Sequence, residues 1–290
     1  MSNPPAYRQI GIVGTGRVAR AMALGLYAHS AAPLMLWGRD MDRRATAVAS
    51  VPRACAVDRL ATLAQGCDLI VIAVSDDAIA GLVAEMARGD LWSHVPFVFH
   101  VSGRSGAALL DPLRERGAHT AAIHPAMTFT GDASGEVARM VGARFAVTGS
   151  SGAADAEAER VVGLLGGVAI AVAEEHRTLY HAALCHAANH LVTLLAGSCE
   201  ALTAAGVADP RALIAPLVRA ALDNSVASGL AALSGPVLRG DGETIAGHLA
   251  ALEQDCPSLL PAYRAMALAT VDALERGGNA PLAPMRDILT

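Results

Sequence analysis

The sequence of 290 residues contains no lysine, so all 22 of its basic residues are arginine. This absence excludes a lysine acid, base or Schiff base from any reaction that the protein catalyses. The chain also lacks a run of basic residues and has a formal net charge of −5, which argues against nucleic acid as a partner. Because 53% of the residues are hydrophobic and only 17% are charged, the composition excludes a disordered chain and predicts a large buried core.

Cysteine is scarce, with 5 residues that are scattered along the chain and lack the spacing of metal ligands. Such cysteines are typical of reduced thiols in a cytoplasmic protein, and no metal site is predicted. The first residues, MSNPPAYRQ, lack an apolar signal segment. This also favours a cytoplasmic location.

The segment 178–199 contains no Asp, Glu or Arg and is long enough to cross a bilayer. It also carries His181, His186, Asn189 and His190, whose polar side chains are costly in hydrocarbon. We therefore interpret the segment as a buried helix at a domain or subunit interface, and we expect no membrane partner.

Short apolar runs alternate with helical patterns in the first part of the chain. They predict strands near 8–13, 33–37, 53–57, 68–74, 96–101, 119–124, 143–148 and 167–172. Helices are predicted between them near 16–28, 41–49, 58–65, 77–88, 105–116 and 153–165. This alternation is typical of an α/β domain with a doubly wound, mostly parallel sheet, which we assign to residues 1–173.

The pattern after residue 173 is helical and contains no evident strand. We predict an all-helical domain over residues 174–290, with helices near 174–206, 209–229, 242–254, 257–276 and 281–289. The segment 234–241 interrupts this pattern as an irregular loop, and Asp241 is expected to cap the helix that follows it.

A glycine motif follows the first predicted strand, Ile10 to Val13. Gly14 permits a tight turn, Gly16 lets the backbone approach a pyrophosphate, and Ala19 lets the next helix pack closely. The helix N-terminus then faces the phosphates, so the motif predicts a dinucleotide site; the alternative is a turn with small residues for packing alone. The residues expected to contact the cofactor here are Gly14, Thr15, Gly16, Arg17 and Val18.

The end of the second predicted strand indicates which dinucleotide is bound. NAD sites usually carry an acidic residue there for the ribose 2′-hydroxyl, but this strand ends in Gly38, Arg39 and Asp40. Because an arginine fork matches a phosphate, Arg39 favours NADP(H). Asp40 is the contrary observation, since it could reach a hydroxyl if the strand ran longer. Arg43 and Arg44 are interpreted as part of a solvated helix face.

Three further strands end in polar residues, which a parallel sheet brings to the edge where ligands bind. The fourth strand ends in Val74, Ser75, Asp76 and Asp77, the fifth in His100, Val101 and Ser102, and the sixth in His124 to Thr128. We expect Val74, Ser75, Asp77 and His100 to contact the cofactor and Thr128 to contact a substrate. Asp77 could instead cap the next helix.

The long predicted helix places His181, Cys185 and Asn189 on one face and His186 and His190 on an adjacent one. A His-x-x-x-His pair can bind a metal, but no nearby carboxylate supports zinc. The alternatives are buried, hydrogen-bonded histidines or a substrate-pocket wall made by His181 and Asn189.

Several motifs together carry a family resemblance. They are Val74-Ser75-Asp76-Asp77, His100-x-Ser102-Gly103, His124-Pro125-x-x-x-Phe129, Tyr180-His181-Ala182-Ala183 with Asn189, and Gly235-Pro236-x-x-Arg239-Gly240-Asp241. Over nearly its whole length the chain resembles Rossmann-like, NADP-dependent oxidoreductases with a helical C-terminal domain, within the 6-phosphogluconate-dehydrogenase-like superfamily. Relatives include pyrroline-5-carboxylate reductase, ketopantoate reductase and prephenate dehydrogenase.

The resemblance implies roles for particular residues. Many relatives use a lysine four positions before an asparagine on the long helix, but here Cys185 precedes Asn189 at that spacing. Prephenate dehydrogenases are more similar, with a serine after one strand and a His-Pro pair after the next. By this resemblance His124 exchanges a proton with the substrate and Ser102 assists. An enzyme also needs Asn189 to converge with these two residues at a cavity beside the nicotinamide, so the predicted catalytic set is His124, Ser102 and Asn189.

Two hypotheses of function follow. The first is a reductase or dehydrogenase that uses NADP(H) to transfer a hydride to or from a small polar, carboxylated metabolite, such as a keto acid, a hydroxy acid or a cyclic imine. The second is a non-catalytic regulatory protein that binds NADP(H). In the first, Arg239 is either a clamp for the substrate carboxylate or a structural strut. The apolar helical domain also predicts a homodimer.

Overall fold

A mostly parallel sheet of eight strands forms the centre of the first of two units, Met1–Cys185 and His186–Thr290, into which the chain divides. The computed structural model describes residues 5–89, 92, 94–278 and 282–290. The strands are β1 (Ile10–Val13), β2 (Leu34–Trp37), β3 (Ala54–Ala56), β4 (Leu69–Ile72), β5 (Phe97–His100), β6 (His119–Pro125), β7 (Arg144–Gly149) and β8 (Val168–Ala171).

Helices connect these strands. The helices of the first unit are α1 (Arg17–Leu26), α2 (Met41–Ala49), α3 (Leu60–Gly66), α4 (Asp76–Ala87), α5 (Asp111–Arg114), α6 (Ala133–Met140), α7 (Gly152–Leu164) and α8 (Arg177–Leu184). Short 3-10 turns add Tyr27–His29, Ala107–Leu110 and Glu174–His176.

The strand order is β3-β2-β1-β4-β5-β6-β7-β8, and only the pairing of β6 with β7 is antiparallel among the described strands. The chain thus winds from β1 outward in both directions, which confirms the predicted doubly wound sheet. The ends of β1, β2, β4, β5 and β6 meet at one edge because these strands are parallel.

The core explains why the strands are almost wholly apolar. Along β4, Leu69 and Val71 belong to one buried cluster, whereas Ile70 and Ile72 belong to another. Since neighbouring side chains of a strand point to opposite faces, both faces of the sheet are covered.

The described residues of the second unit form helices joined by short turns, with no strand among them. Its helices are α9 (His190–Ala204), α10 (Pro210–Ser228), α11 (Pro236–Arg239), α12 (Gly242–Asp255), α13 (Leu260–Arg276) and α14 (Ala283–Leu289), with a 3-10 turn at Gly229–Ala232. A small buried cluster around Ile245, Leu249 and Val271 joins α12, α13 and α14. The predicted start of the last helix at residue 281 lies outside the described residues.

Three local predictions need correction, and one helix was not predicted. The predicted helix 105–116 is a 3-10 turn followed by the four-residue α5, and α6 was not predicted. The segment 174–206 is not one uniform helix, because a π-helical turn, Cys185–Asn189, separates α8 from α9. The interruption 234–241 contains the single turn α11, and the expected cap is present, since the Asp241 carboxylate accepts from the Thr244 amide.

The stretch Glu174–Ala204 is long and apolar enough to cross a membrane by length and composition alone, and its most apolar window has no buried residue. It contains the segment 178–199 singled out in the sequence. The expectation that no membrane is involved stays a prediction.

Candidate cofactor and active site

A cavity of about 560 Å³ lies beyond the carboxyl ends of β1, β2 and β4. Eight of the ten residues predicted to contact a cofactor line it: Gly14, Thr15, Gly16, Arg17, Val18, Arg39, Val74 and Ser75. The other two, Asp77 and His100, are not among its lining residues. The strand ends therefore form one groove at the place where a doubly wound sheet binds its ligands.

The N-terminus of α1 opens into this groove. Gly14 has φ +130°, and a Cβ there would strike the Ala73 carbonyl, so the turn requires glycine. Gly16 is the N-cap of α1, and in the described part of the chain no side chain caps it and no acidic residue occupies the first turn. A Cβ on Gly16 would meet no atom within 4 Å, so the backbone faces open space. These free amides and the helix dipole suit an anionic group.

The end of β2 favours a phosphate over a ribose hydroxyl. A Cβ on Gly38 would lie 2.5 Å from the Thr15 methyl carbon, so this position has little room for an acidic side chain. Asp40 is occupied elsewhere, because its carboxylate caps α2 by accepting from the Arg43 amide at 2.9 Å. Arg39 and Arg43 both line the groove.

Arg44 is not part of a solvated face, contrary to the sequence interpretation. It is only 8% exposed. Its guanidinium pairs with Asp58 at 2.7 Å and donates to the Val57 and Gly38 carbonyls. These contacts join the loop after β2 to the loop after β3, whereas Arg43, with 80% of its side chain exposed, is solvated as predicted.

Asp77 lies in the first turn of α4, and Ser75 takes the N-cap position. The Asp77 carboxylate pairs with Arg104 at 3.1 Å, and Asp76 pairs with the same guanidinium at 2.9 Å. Asp77 is therefore not the helix cap, and it ties the loop after β5 to α4.

His100 is fully buried, and both of its ring nitrogens are used. The Ser102 amide donates to Nδ1 at 3.1 Å, so Nδ1 carries no proton. Nε2 therefore carries the proton and donates to the Gly106 carbonyl at 2.8 Å. Burial lowers the pKa of His100 to about 4, so the ring is neutral. This geometry holds the loop after β5 and leaves no ring nitrogen for a cofactor.

Ser102 belongs to this loop and is 3% exposed. Its hydroxyl accepts from the Ser105 amide at 3.3 Å, and its carbonyl accepts from Arg177 at 2.6 Å. The residues Ser102 to Ser105, hereafter the Ser102 loop, are thus held from several sides.

His124, at the end of β6, contacts two aromatic side chains of α8. Its Nδ1 lies 2.9 Å from the Tyr180 hydroxyl, and the ring is edge-on to Tyr180 and His181 at 5.7 and 6.0 Å between centroids. Burial, followed by the charge of Arg177 and the neighbouring His181, lowers the pKa of His124 to about 4. The imidazole is therefore neutral at physiological pH.

Gly103 explains how these rings approach the Ser102 loop. A Cβ on Gly103 would lie 2.9 Å from Nε2 of His124 and would strike the ring of His181. The missing side chain thus lets Nε2 of His124 approach the loop backbone. Thr128, the predicted substrate contact beyond β6, is exposed.

The remaining predicted residues lie in the second unit. Asn189 is exposed at the end of the π-helical turn, and Arg239 is exposed at the end of α11. Nδ1 of His186 and Nδ1 of His190 lie 3.1 Å apart. Within the described ranges, no three metal-ligating side chains group together.

Sequence reasoning missed two residues of this site, Tyr180 and Arg177. Tyr180 stood in a recognised motif but received no role. Arg177 precedes the uncharged segment and looks like an ordinary helix start, yet it is only 1% exposed. The signal available in the sequence was the position of this arginine, directly before a segment that contains no other charged residue.

Family models match both parts of the chain. The Rossmann-like domain matches residues 3–125, and a domain of unknown function, DUF2520, matches residues 143–270. The chain therefore carries a Rossmann-like domain followed by a DUF2520 domain. No curated protein matches the sequence.

Solved structures share the fold at low identity. A Bacteroides fragilis protein assigned as an NADP oxidoreductase has TM-score 0.74 and 20% identity, covering 91% of this chain and 97% of its own. An imine reductase from Myxococcus stipitatus, in complex with NADP+, has TM-score 0.69 and 17% identity, covering 97% and 100%. A pyrroline-5-carboxylate reductase from Coxiella burnetii has TM-score 0.58 and 16% identity, covering 98% of both chains.

Proposed function

We propose that the protein is a cytoplasmic NADP(H)-dependent oxidoreductase that reduces, or forms by oxidation, a C=N or C=O bond in a small polar, carboxylated metabolite. The observation that carries this proposal is the groove at the strand ends, with the uncapped N-terminus of α1 at one end and Arg39 and Arg43 at the other. The neutral Tyr180–His124 pair of the same unit supplies the acid–base chemistry.

The residues of the groove fit a dinucleotide that carries a 2′-phosphate. The free amides of Gly16 and Arg17 would hold the pyrophosphate, and Val74 and Ser75 would border the cofactor beyond β4. Arg39, just before the N-cap of α2, and Arg43, in the first turn of α2, both line the groove and would share the 2′-phosphate, while Gly38 excludes the acidic side chain typical of NAD sites. The bound cofactor supplies or accepts the hydride.

The protein would supply the proton. At neutral pH the Tyr180–His124 pair holds two protons and no net charge, because the histidine is neutral. Reduction requires a proton on the substrate nitrogen or oxygen. His124 would give it from Nε2, and the Tyr180 hydroxyl would replace it through Nδ1 at 2.9 Å. Oxidation would run this transfer in reverse.

The substrate class rests on chemistry and on similarity of fold. The named activities of the Myxococcus and Coxiella enzymes concern imines, and the second concerns a carboxylated cyclic imine. Arg239 is the expected carboxylate clamp, with His181 and Thr128 as further substrate contacts. Ser102 and Asn189 are the expected catalytic partners of His124. A cyclic imino acid, a keto acid and a hydroxy acid all remain candidates.

The helical unit supports a homodimer as the functional form. Neither α9 nor α10 has a buried residue in the described chain. They expose Val192, Leu213, Leu217 and Val226 at 69%, 55%, 69% and 81%. A second copy that covers this apolar surface is the simplest partner.

The test is NADPH oxidation by the purified protein, followed by the loss of the absorbance of the reduced nicotinamide. The substrates are a panel of cyclic imines, keto acids and their carboxylate-free analogues. We expect turnover with carboxylated members and its loss in His124→Gln. If the protein binds NADPH tightly but turns over neither the panel compounds nor any compound in a metabolite extract, the regulatory alternative is supported instead.

A further inference from the structure

Arg177 is a buried cation without an anionic partner. It is 1% exposed, and in the part of the chain that the structure describes no carboxylate lies within 4.0 Å of its guanidinium. A buried charge is costly unless it is compensated, so an arginine at this place needs an explanation.

The guanidinium is satisfied by backbone carbonyls instead. Nη2 donates to Ser102 at 2.6 Å, Nε donates to Ser105 at 3.1 Å, and Nη1 donates to Ala146 of β7 at 3.3 Å. The side chain of Arg177 therefore links both ends of the Ser102 loop to β7 through hydrogen bonds. Gly103, at the centre of that loop, is the residue that Nε2 of His124 approaches.

The same guanidinium lies beside Tyr180. Its central carbon is 5.6 Å from the centre of the Tyr180 ring, and the Tyr180 hydroxyl contacts Nδ1 of His124. A positive charge at this position acts on both members of the pair in the same sense: it disfavours an extra proton on the imidazole and favours loss of the phenol proton.

We propose that Arg177 is a positioning residue that fixes the Ser102 loop under His124 and biases the Tyr180–His124 pair toward giving up a proton. The part of this proposal that concerns catalysis rests on the proposed function. In the reduction, the proton leaves Nε2 of His124 for the substrate heteroatom, the Tyr180 proton moves to Nδ1, and the negative charge left on the tyrosine oxygen is stabilised by Arg177.

Other charged groups around His124 are Asp76, His100 and His181. Asp76 raises the pKa of His124, whereas His181 and His100 act in the same direction as Arg177. Arg177 is the one permanent cation in this set, so its removal has a defined sign: the pKa of His124 rises from about 4.

Three variants separate charge from geometry. Arg177→Gln removes the cation, Arg177→Lys keeps the cation but loses the three-way fork, and Arg44→Gln is the matched control. Arg44 is also buried and also donates to loop carbonyls, but it lies on α2 and contacts the loop after β2, a strand that β1, β4 and β5 separate from β6. At about 4.8 Å per strand, β2 and β6 lie roughly 19 Å apart, so the control changes a loop far from the end of β6.

Two measurements on the intact protein need no substrate, so they stay informative even if the proposed function fails. The first is a ¹⁵N-imidazole NMR titration, with the His124 signal assigned from its loss in His124→Gln. We expect the midpoint to rise by about one pH unit in Arg177→Gln and to stay unchanged in Arg177→Lys and Arg44→Gln. An unchanged midpoint in Arg177→Gln overturns the proposal.

The second measurement is amide hydrogen exchange of the Ser102 loop. Exchange should be faster in Arg177→Lys than in the wild type or Arg44→Gln, because the fork to the Ser102 and Ser105 carbonyls is lost. If Arg177→Gln does not fold, the exchange of Arg177→Lys against the wild type and Arg44→Gln is the test, and unchanged exchange in Arg177→Lys overturns the proposal. With an identified substrate, kcat should fall at least about tenfold in Arg177→Gln while the Kd for NADPH is unchanged.

Discussion

The Nδ1 atom of His124 lies 2.9 Å from the hydroxyl oxygen of Tyr180, although the two residues are 56 positions apart in the sequence. The contact joins the end of β6 to α8, so the fold rather than the local sequence makes the pair. It gives His124 a neighbour that can replace a proton lost to a substrate.

If the pair works as one proton donor, changes to its two members should not be independent. His124→Gln should lower kcat by ~10²–10⁴-fold and leave the Kd for NADPH unchanged. Tyr180→Phe should lower kcat in the same direction. The double variant should be no worse than the poorer single one, because each change disables the same proton transfer.

A matched control for this pair lies in the second unit. Nδ1 of His248 and the Tyr263 hydroxyl are 2.8 Å apart, and the rings meet edge-on as those of His124 and Tyr180 do. Tyr263→Phe should leave kcat unchanged. Full activity in His124→Gln, or losses that multiply in the double variant, would show that the proton comes from another group.

Cofactor choice is predicted to depend on Arg39. A charge-assisted hydrogen bond to the 2′-phosphate is worth roughly 1.5–3 kcal/mol, so Arg39→Ala should weaken NADPH binding by about ten- to a hundredfold. NADH has no 2′-phosphate, and its Kd should hardly change. Fluorescence titration of both reduced cofactors measures this. Arg59→Ala, at an exposed arginine outside the groove, is the control, and equal affinity for NADPH and NADH in the wild type would disprove the assignment.

Stability is predicted to depend on pH through His100. Its pKa is lowered to about 4 in the folded protein, mainly by burial, against about 6.5 in the unfolded chain. Between these values the unfolded state binds the proton and the folded state does not. The free energy of unfolding should therefore fall as the pH drops from about 6.5 to 4, by up to roughly 1.4 kcal/mol per pH unit for this residue.

Urea unfolding at several pH values tests this. His100→Gln should be less stable at pH 7 by about 1–3 kcal/mol, because the Gly106 carbonyl or the Ser102 amide loses its partner, and its pH dependence should be shallower. His176→Gln, at an exposed histidine, should keep the wild-type slope. An equally steep slope in His100→Gln would rule out His100 as its source.

The fold could be predicted because its signals are local. Apolar runs that end in glycine or polar residues, such as Ile10–Val13 before Gly14, mark buried parallel strands, and parallel strands bring their ends together. The helix α6 was missed because its sequence, ASGEVARM, is short and begins with the weak helix formers Ser134 and Gly135 in its first turn. Its N-cap, Asp132, was the signal present in the sequence.

Individual contacts could not be predicted in the same way. His100 and His124 both stand at strand ends, and only the structure distinguishes them: one uses both nitrogens to hold a loop, and the other contacts Tyr180. The burial of Arg177 depends on the Ser102 and Ala146 carbonyls, which come from distant parts of the chain. Helical periodicity likewise predicts a regular helix across Cys185–Asn189, where a π-helical turn stands.

The homodimer is predicted to depend on the apolar surface of α9 and α10. Leu217→Glu places a charge on an α10 side chain that is 69% exposed in one copy, and it should yield monomers at micromolar concentration in light scattering. Met41→Glu changes a side chain of the first unit that is 71% exposed and should leave the dimer intact. A wild-type monomer at the same concentration would exclude this assembly.

Arg239 is predicted to bind the substrate carboxylate. It stands at the end of the single turn α11, between Gly235 and Gly240, whose φ values of 107° and 68° fix the turn. Among the described residues its guanidinium has no hydrogen bond or ion pair, so the alternative of a structural strut has no contact to support it. A free guanidinium on a rigid turn suits a two-bond clamp for a carboxylate.

Arg239→Ala should therefore raise KM for the carboxylated substrate by about ten- to a hundredfold, the loss of one charge-assisted contact. The Kd for NADPH and the Tm should stay close to the wild-type values. Arg239→Lys should recover only part of the loss, because an ammonium group cannot form the two parallel bonds. Arg276→Ala is the control at another exposed arginine of the second unit. A lower Tm with an unchanged KM in Arg239→Ala would show that this residue supports the fold and that another cation must bind the carboxylate.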